Sequence, residues 1–322
     1  MLLHAVPRLA VRSPVTTRPT VEGIVRAASV ISSELRDTPQ FESDNLSELI
    51  GCPVLVKVET VNPLRSFKGR GTDYLLATRF DPGATVVTAS AGNFGQGLAY
   101  AGRRRGVSVV VFVATTANPR KVAQMRRFGA EVQVEGRDLD AAKAAGVAYA
   151  EQRGLPFVED GAWAEIAEGA GTIAREVTER GEPVDAVVVP VGNGALVAGV
   201  GTWLRHAAPS ARVVGVCAQG APAMLQSWRQ RKVVATDAVD TIADGIAIRE
   251  PIPSMVEQLP DLVDDMLLVS DDDILAATEL ARVELGLVLE PAAAAGLAGA
   301  QLLARQLTDR RLVVPLCGGF TR

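Results

Sequence analysis

Lysine is scarce in this chain: of 33 basic residues only Lys57, Lys68, Lys121, Lys143 and Lys232 are not arginine. Cysteine and histidine are scarcer still. Cys52, Cys217 and Cys317 stand far apart with no CxxC, and His4 and His206 are the two histidines. A disulfide scaffold is therefore excluded, and no structural zinc or other metal site is expected. A Ser-His-Asp or Cys-His enzyme is not expected either, because neither histidine lies in a strand-end glycine setting. Aromatic residues make up 4% of the chain and the net charge is −4, which argues against a nucleic-acid binder, for want of basic patches and stacking rings. The one basic run, Arg103-Arg104-Arg105, follows a helical pattern and reads as a solvated helix end.

Long apolar runs are also missing. Residues 186–204 carry no charge, but Pro190 and four glycines make them a strand, loop and helix rather than a membrane span. The first 20 residues hold three arginines and no acid, yet lack the apolar core of a secretion signal. An N-terminal arm and a cytoplasmic location are expected. The chain stops five residues after Cys317, so feedback control through an appended regulatory domain is not expected.

What is present is globular composition, 48% apolar and 22% charged over 322 residues, enough for two lobes around a cleft. Strand-like runs alternate with helix-like ones. Strands are expected at 54–58, 85–88, 107–113, 131–134, 186–189, 213–217 and 311–316. Helices are expected after Asn93 to Arg105 and over 119–127, 165–180, 195–206, 271–284 and 292–306. No fixed-period repeat or long linker interrupts them. The fold class is α/β: two lobes, each an open, mostly parallel twisted sheet flanked by helices, with ligands expected in the cleft at the carboxyl ends of strands.

Lys68 stands in Asn62-Pro63-Leu64-Arg65-Ser66-Phe67-Lys68-Gly69-Arg70-Gly71, just past the first of these strands. In a chain that otherwise uses arginine, a lysine at such a place points to chemistry arginine cannot do: a desolvated lysine can lose its proton, and the free amine forms a Schiff base. After the strand at 186–189 comes Val191-Gly192-Asn193-Gly194-Ala195-Leu196, a glycine turn opening a helix, whose N–H groups and dipole suit a phosphate. A dinucleotide fingerprint is disfavoured, since Val197 replaces its third glycine and Cys217-Ala218-Gln219 offers no carboxylate to a ribose. No Walker lysine is present. Ser90-Ala91-Gly92-Asn93-Phe94-Gly95-Gln96-Gly97 is a second loop at a strand end, with donors suited to a small carboxylate.

A lysine for an imine, a phosphate cradle and a carboxylate loop are what a pyridoxal-phosphate amino-acid enzyme needs. The chain resembles the fold type II, tryptophan-synthase-β-like pyridoxal-phosphate enzymes, and most closely their threonine/serine dehydratases, over about residues 46–320. N-P-L-R-S-F-K-G-R-G, S-A-G-N-F-G-Q-G, V-G-N-G-A-L and C-G-G occur in the family's order, joined by T-I-A-D-G-I-A (residues 241–247) and L-E-P (residues 289–291). The resemblance implies that Lys68 holds the cofactor, pyridoxal 5′-phosphate, and later acts as base on the substrate Cα. It assigns the phosphate to Gly192, Asn193, Gly194, Ala195 and Leu196, the cofactor ring hydroxyl to Asn93, the ring face to Phe67 and the pyridine nitrogen to Cys317. Ser90, Ala91 and Gly92, with Asn93, would hold the substrate carboxylate, and Glu290 would lie near the site. Residues 1–79 and 161–322 would form the larger, cofactor-binding lobe, and 80–160 a smaller mobile lobe carrying the carboxylate loop. The family implies a homodimer or homotetramer acting on a small amino acid.

Some positions depart from the family's pattern. Leu64-Arg65 replaces the usual threonine-glycine, so Arg65 is either a solvated charge or a reader of a second anionic group. Phe94 replaces the usual histidine and shapes the same loop. Cys217 stands where a glutamate helps bind a cation, which leaves cation activation without its ligand. Ala91 cannot transfer a proton, so racemisation is not the expected activity. The expected reaction is dehydration and deamination of a β-hydroxy amino acid such as threonine or serine to a 2-oxo acid and ammonia, with a neutral Cys317 partner favouring prompt loss of the β-substituent. The alternative is β-replacement of the cysteine-synthase or diaminopropionate-synthase type, through an aminoacrylate, which shares every cofactor residue.

Overall fold

The computed structural model describes residues 18–181, 183–305 and 310–319. His4, the expected N-terminal arm up to residue 17 and the expected helix end at Gln306 lie outside them. Nine strands are found among the described residues: β1 (Gln40–Glu42), β2 (Val54–Val58), β3 (Thr85–Ala89), β4 (Ser108–Val113), β5 (Glu131–Val134), β6 (Ala186–Pro190), β7 (Arg212–Ala218), β8 (Asp265–Val269) and β9 (Leu312–Leu316). They form a six-stranded sheet in the order β1-β2-β9-β6-β7-β8 and a three-stranded sheet in the order β3-β4-β5. Every neighbouring pair is parallel except β1 with β2.

The architecture follows from the apolar runs. Strands β2, β6 and β9 are buried along their whole length, as a parallel sheet covered on both faces requires, and so they read as near-continuous valine and leucine runs rather than alternating ones. Each strand expected from the sequence lies within one residue of its observed ends. The helices Asn93–Arg105, Pro119–Arg127, Ala164–Glu179, Ala195–Ala207, Asp271–Glu284 and Pro291–Ala304 likewise match the helical patterns.

Two strands and several helices carry no clear pattern and are found only in the structure, among them β8 and the helices Lys68–Arg79 and Leu139–Arg153. The helix that begins at Lys68 has no polar stripe because its charged residues are inside: Arg70 and Asp73 are fully buried, each in ion pairs. The arginine run at the end of Asn93–Arg105 is only partly the solvated end expected. Arg105 folds back to clasp Asp73 through two 2.8 Å hydrogen bonds and also donates to the Val30 carbonyl at 2.8 Å. Among the described residues no helix is long and apolar enough to cross a membrane.

Candidate active site

Lys68 is presented by a segment that Asn62 folds. The Asn62 side chain accepts from the Leu64 and Ser66 N–H groups at 3.0 and 3.3 Å and donates to the Glu59 and Ser66 carbonyls at 2.9 and 3.1 Å. This local net turns the chain sharply after β2. The turn is then fastened to the end of β9, with the Phe67 N–H donating to the Cys317 carbonyl at 3.0 Å and Ser66 bridging to Gly318. The helix Lys68–Arg79 begins there, and the Lys68 side chain, 18% exposed, reaches Asp160 with Nζ 2.6 Å from Oδ2. The Phe67 and Phe94 rings lie 4.8 and 5.9 Å from the same nitrogen.

A buried ionic cluster forms around Arg70, two residues past Lys68 along the same helix. Arg70 donates to both Glu59 oxygens at 2.8 and 2.9 Å, to both Glu176 oxygens at 2.5 and 2.9 Å, and to Thr172 at 2.9 Å. Lys57 pairs with Glu176 at 2.5 Å and donates to the Thr38 carbonyl at 2.7 Å. Two cations thus meet two carboxylates with nearly every donor used, the condition under which buried charge is tolerated. Burial alone would raise the Glu176 carboxyl, but Arg70 and Lys57 outweigh it and hold it down to about 2. Sequence reasoning passed over Lys57 and Arg70, since nothing in their spacing distinguishes a buried charge from a solvated one.

The loop after β3 is organised by Ser90, whose hydroxyl accepts from the Gly92 and Gly95 N–H groups at 3.3 and 3.2 Å. Asn93 then opens its helix and its side-chain amide donates to Glu290 at 2.6 Å, while Gln96 donates to the Asn93 side-chain Oδ1 at 3.4 Å. Ala91 is part-buried in this loop, and Phe94 is buried just beyond it.

The glycine loop joins β6 to the helix Ala195–Ala207. Gly194 sits at φ +94°, a conformation side-chain-bearing residues rarely adopt, and no side chain caps the helix that follows. Its first N–H groups therefore lack intrahelical acceptors at a buried helix start, where Gly194, Ala195 and Leu196 are all inside. A Cβ on Gly192 would lie 2.8 Å from the Gly245 carbonyl, so the segment 241–247 is pressed against this turn. The uncapped donors form an anion cradle, and a phosphate fits their chemistry.

The fourth motif closes the site. Glu290 precedes the helix Pro291–Ala304, its N–H donates to the Gly318 carbonyl at 3.1 Å, and Leu289 bridges to Gly319. Burial pushes the Glu290 carboxyl up to about 7, reinforced by Asp244 and opposed by Lys121, Lys68 and the Asn93 hydrogen bond. Cys317 is buried with Sγ 3.2 Å from the Pro315 carbonyl, and burial raises its thiol well above the ordinary value, which keeps it a neutral group. Arg65 is exposed beside it: its backbone has φ +52° and its carbonyl accepts from the Gly319 N–H at 2.8 Å. Cys217 is buried in β7, and among the described residues no group of acidic, histidine or cysteine side chains is arranged to hold a metal.

Contacts link these motifs into one constellation. Lys68 touches Asp160, and Gly161 presses on Asn193 of the glycine loop. Phe67 bonds to Cys317, Glu290 bonds to Gly318, and Asn93 bonds to Glu290. Asp160 is the member that sequence reasoning missed, and its sole signal was an Asp-Gly turn dipeptide. A part-buried lysine, an uncapped glycine-loop helix start and a neutral thiol are groups that fit the aldehyde, the phosphate and the ring nitrogen of pyridoxal phosphate in turn.

Comparison with known proteins agrees. Residues 31–318 match the model of the pyridoxal-phosphate dependent enzymes. The chain is 35% identical over 300 residues to the L-threonine ammonia-lyase of Geobacter sulfurreducens, covering 92% of this chain and 74% of that one. It is 34% identical over 311 residues to the phenylserine dehydratase of Ralstonia pickettii, covering 95% and 94%. The processed form of threonine deaminase isoform 2 from Solanum lycopersicum superposes with a TM-score of 0.86 at 28% identity, covering 100% of this chain and 91% of that one. The chain spans about half the length of several biosynthetic threonine dehydratases that it also matches. With its cradle, its lysine and nearly its whole length accounted for, this chain belongs to the pyridoxal-phosphate dependent enzyme family.

Proposed function

We propose that the protein is a pyridoxal-phosphate lyase that eliminates water from a β-hydroxy amino acid of the threonine, serine or phenylserine class, releasing ammonia and a 2-oxo acid. When bound, the cofactor supplies an aldehyde for amines and an electron-withdrawing ring that acidifies the carbon next to a linked amine. The N–H groups of residues 192–196 would hold its phosphate, and Asn93, Phe67 and Cys317 would serve its ring hydroxyl, ring face and ring nitrogen. Lys68 would anchor it covalently and, as a free amine, would take the Cα proton of the substrate. The Ser90-Ala91-Gly92 loop orients the substrate carboxylate, so that the Cα–H bond faces Lys68. The β-hydroxyl leaves as water after receiving a proton from the Lys68 ammonium. Water then returns to the nitrogen-bearing carbon, so the sum is loss of ammonia from the amino acid with one water consumed and one released.

The observation that carries this reading is the joining of a mostly buried lysine to an uncapped glycine-loop helix start and a neutral thiol. A thiol that stays neutral does not favour a protonated ring, which keeps charge on the substrate carbons and promotes departure of the β-substituent. The names of the relatives point to the same substrates. The same reading takes residues 80–160 as the smaller, mobile lobe, the assembly as a homodimer or homotetramer and the compartment as the cytoplasm. The test is release of ammonia and 2-oxo acid from threonine, serine and 3-phenylserine with no added nucleophile. Release is expected from the native protein and is expected to fall at least a thousandfold in Lys68→Ala, roughly what loss of a covalent and acid–base group costs. A Lys68→Ala protein with full release refutes the reading.

A further inference from the structure

Asp160 lies 92 residues from Lys68 in sequence, yet its Oδ2 is the hydrogen-bond acceptor of the lysine Nζ at 2.6 Å. Three observations show that this placement is built. First, residues 159–162 form a turn, with the Ala162 N–H donating to the Glu159 carbonyl at 3.2 Å and Gly161 at φ +88°. That glycine is held against the cradle: a Cβ there would lie 3.1 Å from the Asn193 carbonyl oxygen and 3.2 Å from the Asn193 Cβ. Second, the turn is fastened to the smaller sheet just upstream, where Val158 donates to the Val87 carbonyl at 2.7 Å and Phe157 bridges to Val87 of β3. Third, the two adjacent acids are sorted. Glu159 turns outward to pair with Lys143, and Asp160 turns inward with its side chain 16% exposed. Its second oxygen, Oδ1, is buried with no hydrogen-bond partner. A buried carboxylate oxygen without a donor is costly, so the position is held against that cost.

We propose that Asp160 is a positioning residue for Lys68: its carboxylate holds the lysine nitrogen at the junction of the β3 extension and the glycine loop whenever that nitrogen is not covalently engaged. The proposal deepens the reading of Lys68 given above and rests on it. A lysine released during turnover needs a fixed site to which it can return. Asp160 supplies one within hydrogen-bond reach, anchored both to the sheet whose end carries the Ser90 loop and to the cradle. An ammonium clasped in this way is ordered and is shielded from other electrophiles.

The test is competitive amine labelling of the cofactor-free protein with acetic anhydride, read lysine by lysine by mass spectrometry, with exposed Lys232 as internal reference. Asp160→Asn keeps the shape and removes the charge. It is expected to raise the labelling rate of Lys68 relative to Lys232 about tenfold, roughly 1.4 kcal/mol of ion-pair restraint. Asp160→Glu, which restores the charge, is expected to return the ratio to within about twofold of the native value. Asp160→Ala serves the same comparison if the asparagine variant does not fold. An unchanged ratio, or a rise shared equally by Lys57, Lys68 and Lys121, overturns the proposal, because the second result reports general loosening. Borohydride reduction after adding pyridoxal phosphate separates the two levels. Attachment at a lysine other than Lys68 defeats the functional reading, whereas attachment at Lys68 with an unchanged labelling ratio defeats only the role of Asp160.

Discussion

Glu290 offers a test that needs no substrate. Its carboxyl is pushed up to about 7, chiefly by burial, from an ordinary 4.5. The folded protein therefore binds a proton at Glu290 over a range in which the unfolded chain has released it, and stability falls as pH rises through that range. The fall starts near 4.5, is complete a little above 7 and amounts to about 3 kcal/mol, from a gap of roughly 2.5 units at 1.36 kcal/mol each. Glu290→Gln removes the titration while leaving an amide oxygen to accept from Asn93. At about 2.1 cal/mol/K of unfolding entropy per residue, 3 kcal/mol corresponds to a Tm difference of about 4–5 °C for this chain. The assay is thermal unfolding of both cofactor-free proteins between pH 5 and pH 8.5. The variant is expected to match or fall slightly below the native protein at pH 5 and to exceed it by about 4 °C at pH 8.5. Parallel pH profiles would show that Glu290 ionises at its ordinary value, and the account of its burial would be wrong.

Two further perturbations probe the scaffold around Lys68 and the cradle. Gly194→Ala places a side chain at φ +94°, a strain of roughly 1–2 kcal/mol, and re-aims the uncapped N–H groups. Affinity for pyridoxal phosphate, read by fluorescence titration, is expected to drop about tenfold, and an unchanged affinity would remove the cradle from the argument. Glu176→Gln leaves Arg70 and Lys57 short of a buried charge, at a cost of about 3–5 kcal/mol, or a Tm lower by roughly 4–7 °C. Because the Glu176 carboxyl is held down to about 2, its contribution is present above 4.5 and is lost as pH falls toward 2. The gap between native and variant melting curves is therefore expected to narrow on acidification, and a constant gap contradicts the charge argument.

The parts of the site that the sequence reveals are those in which local chemistry and chain order coincide. Lys68 stands out because lysine is scarce and because it follows a strand. The cradle stands out because glycines at a strand end and helix start have a narrow set of uses. Strands β2, β6 and β9 are legible because a sheet buried on both faces leaves an apolar run in the sequence. What stays hidden has no local signature. The helix Lys68–Arg79 buries Arg70 and Asp73, so its outward pattern contradicts its environment, and only the partners Glu59, Glu176 and Arg105 explain it.

Asp160 is the extreme case, since its meaning depends on a lysine 92 positions earlier and on an asparagine in a different loop. This difference has a physical origin. A backbone cradle is made by consecutive residues and must be written consecutively, whereas an ion pair needs only two charges and a fold that carries them to within 2.6 Å of each other. The groups proposed for covalent and phosphate-binding chemistry are therefore local in sequence, while the ion pair of Lys68 is a property of the folded molecule. Substitutions at Asp160 are accordingly expected to change how Lys68 is held without altering any motif by which the family is recognised.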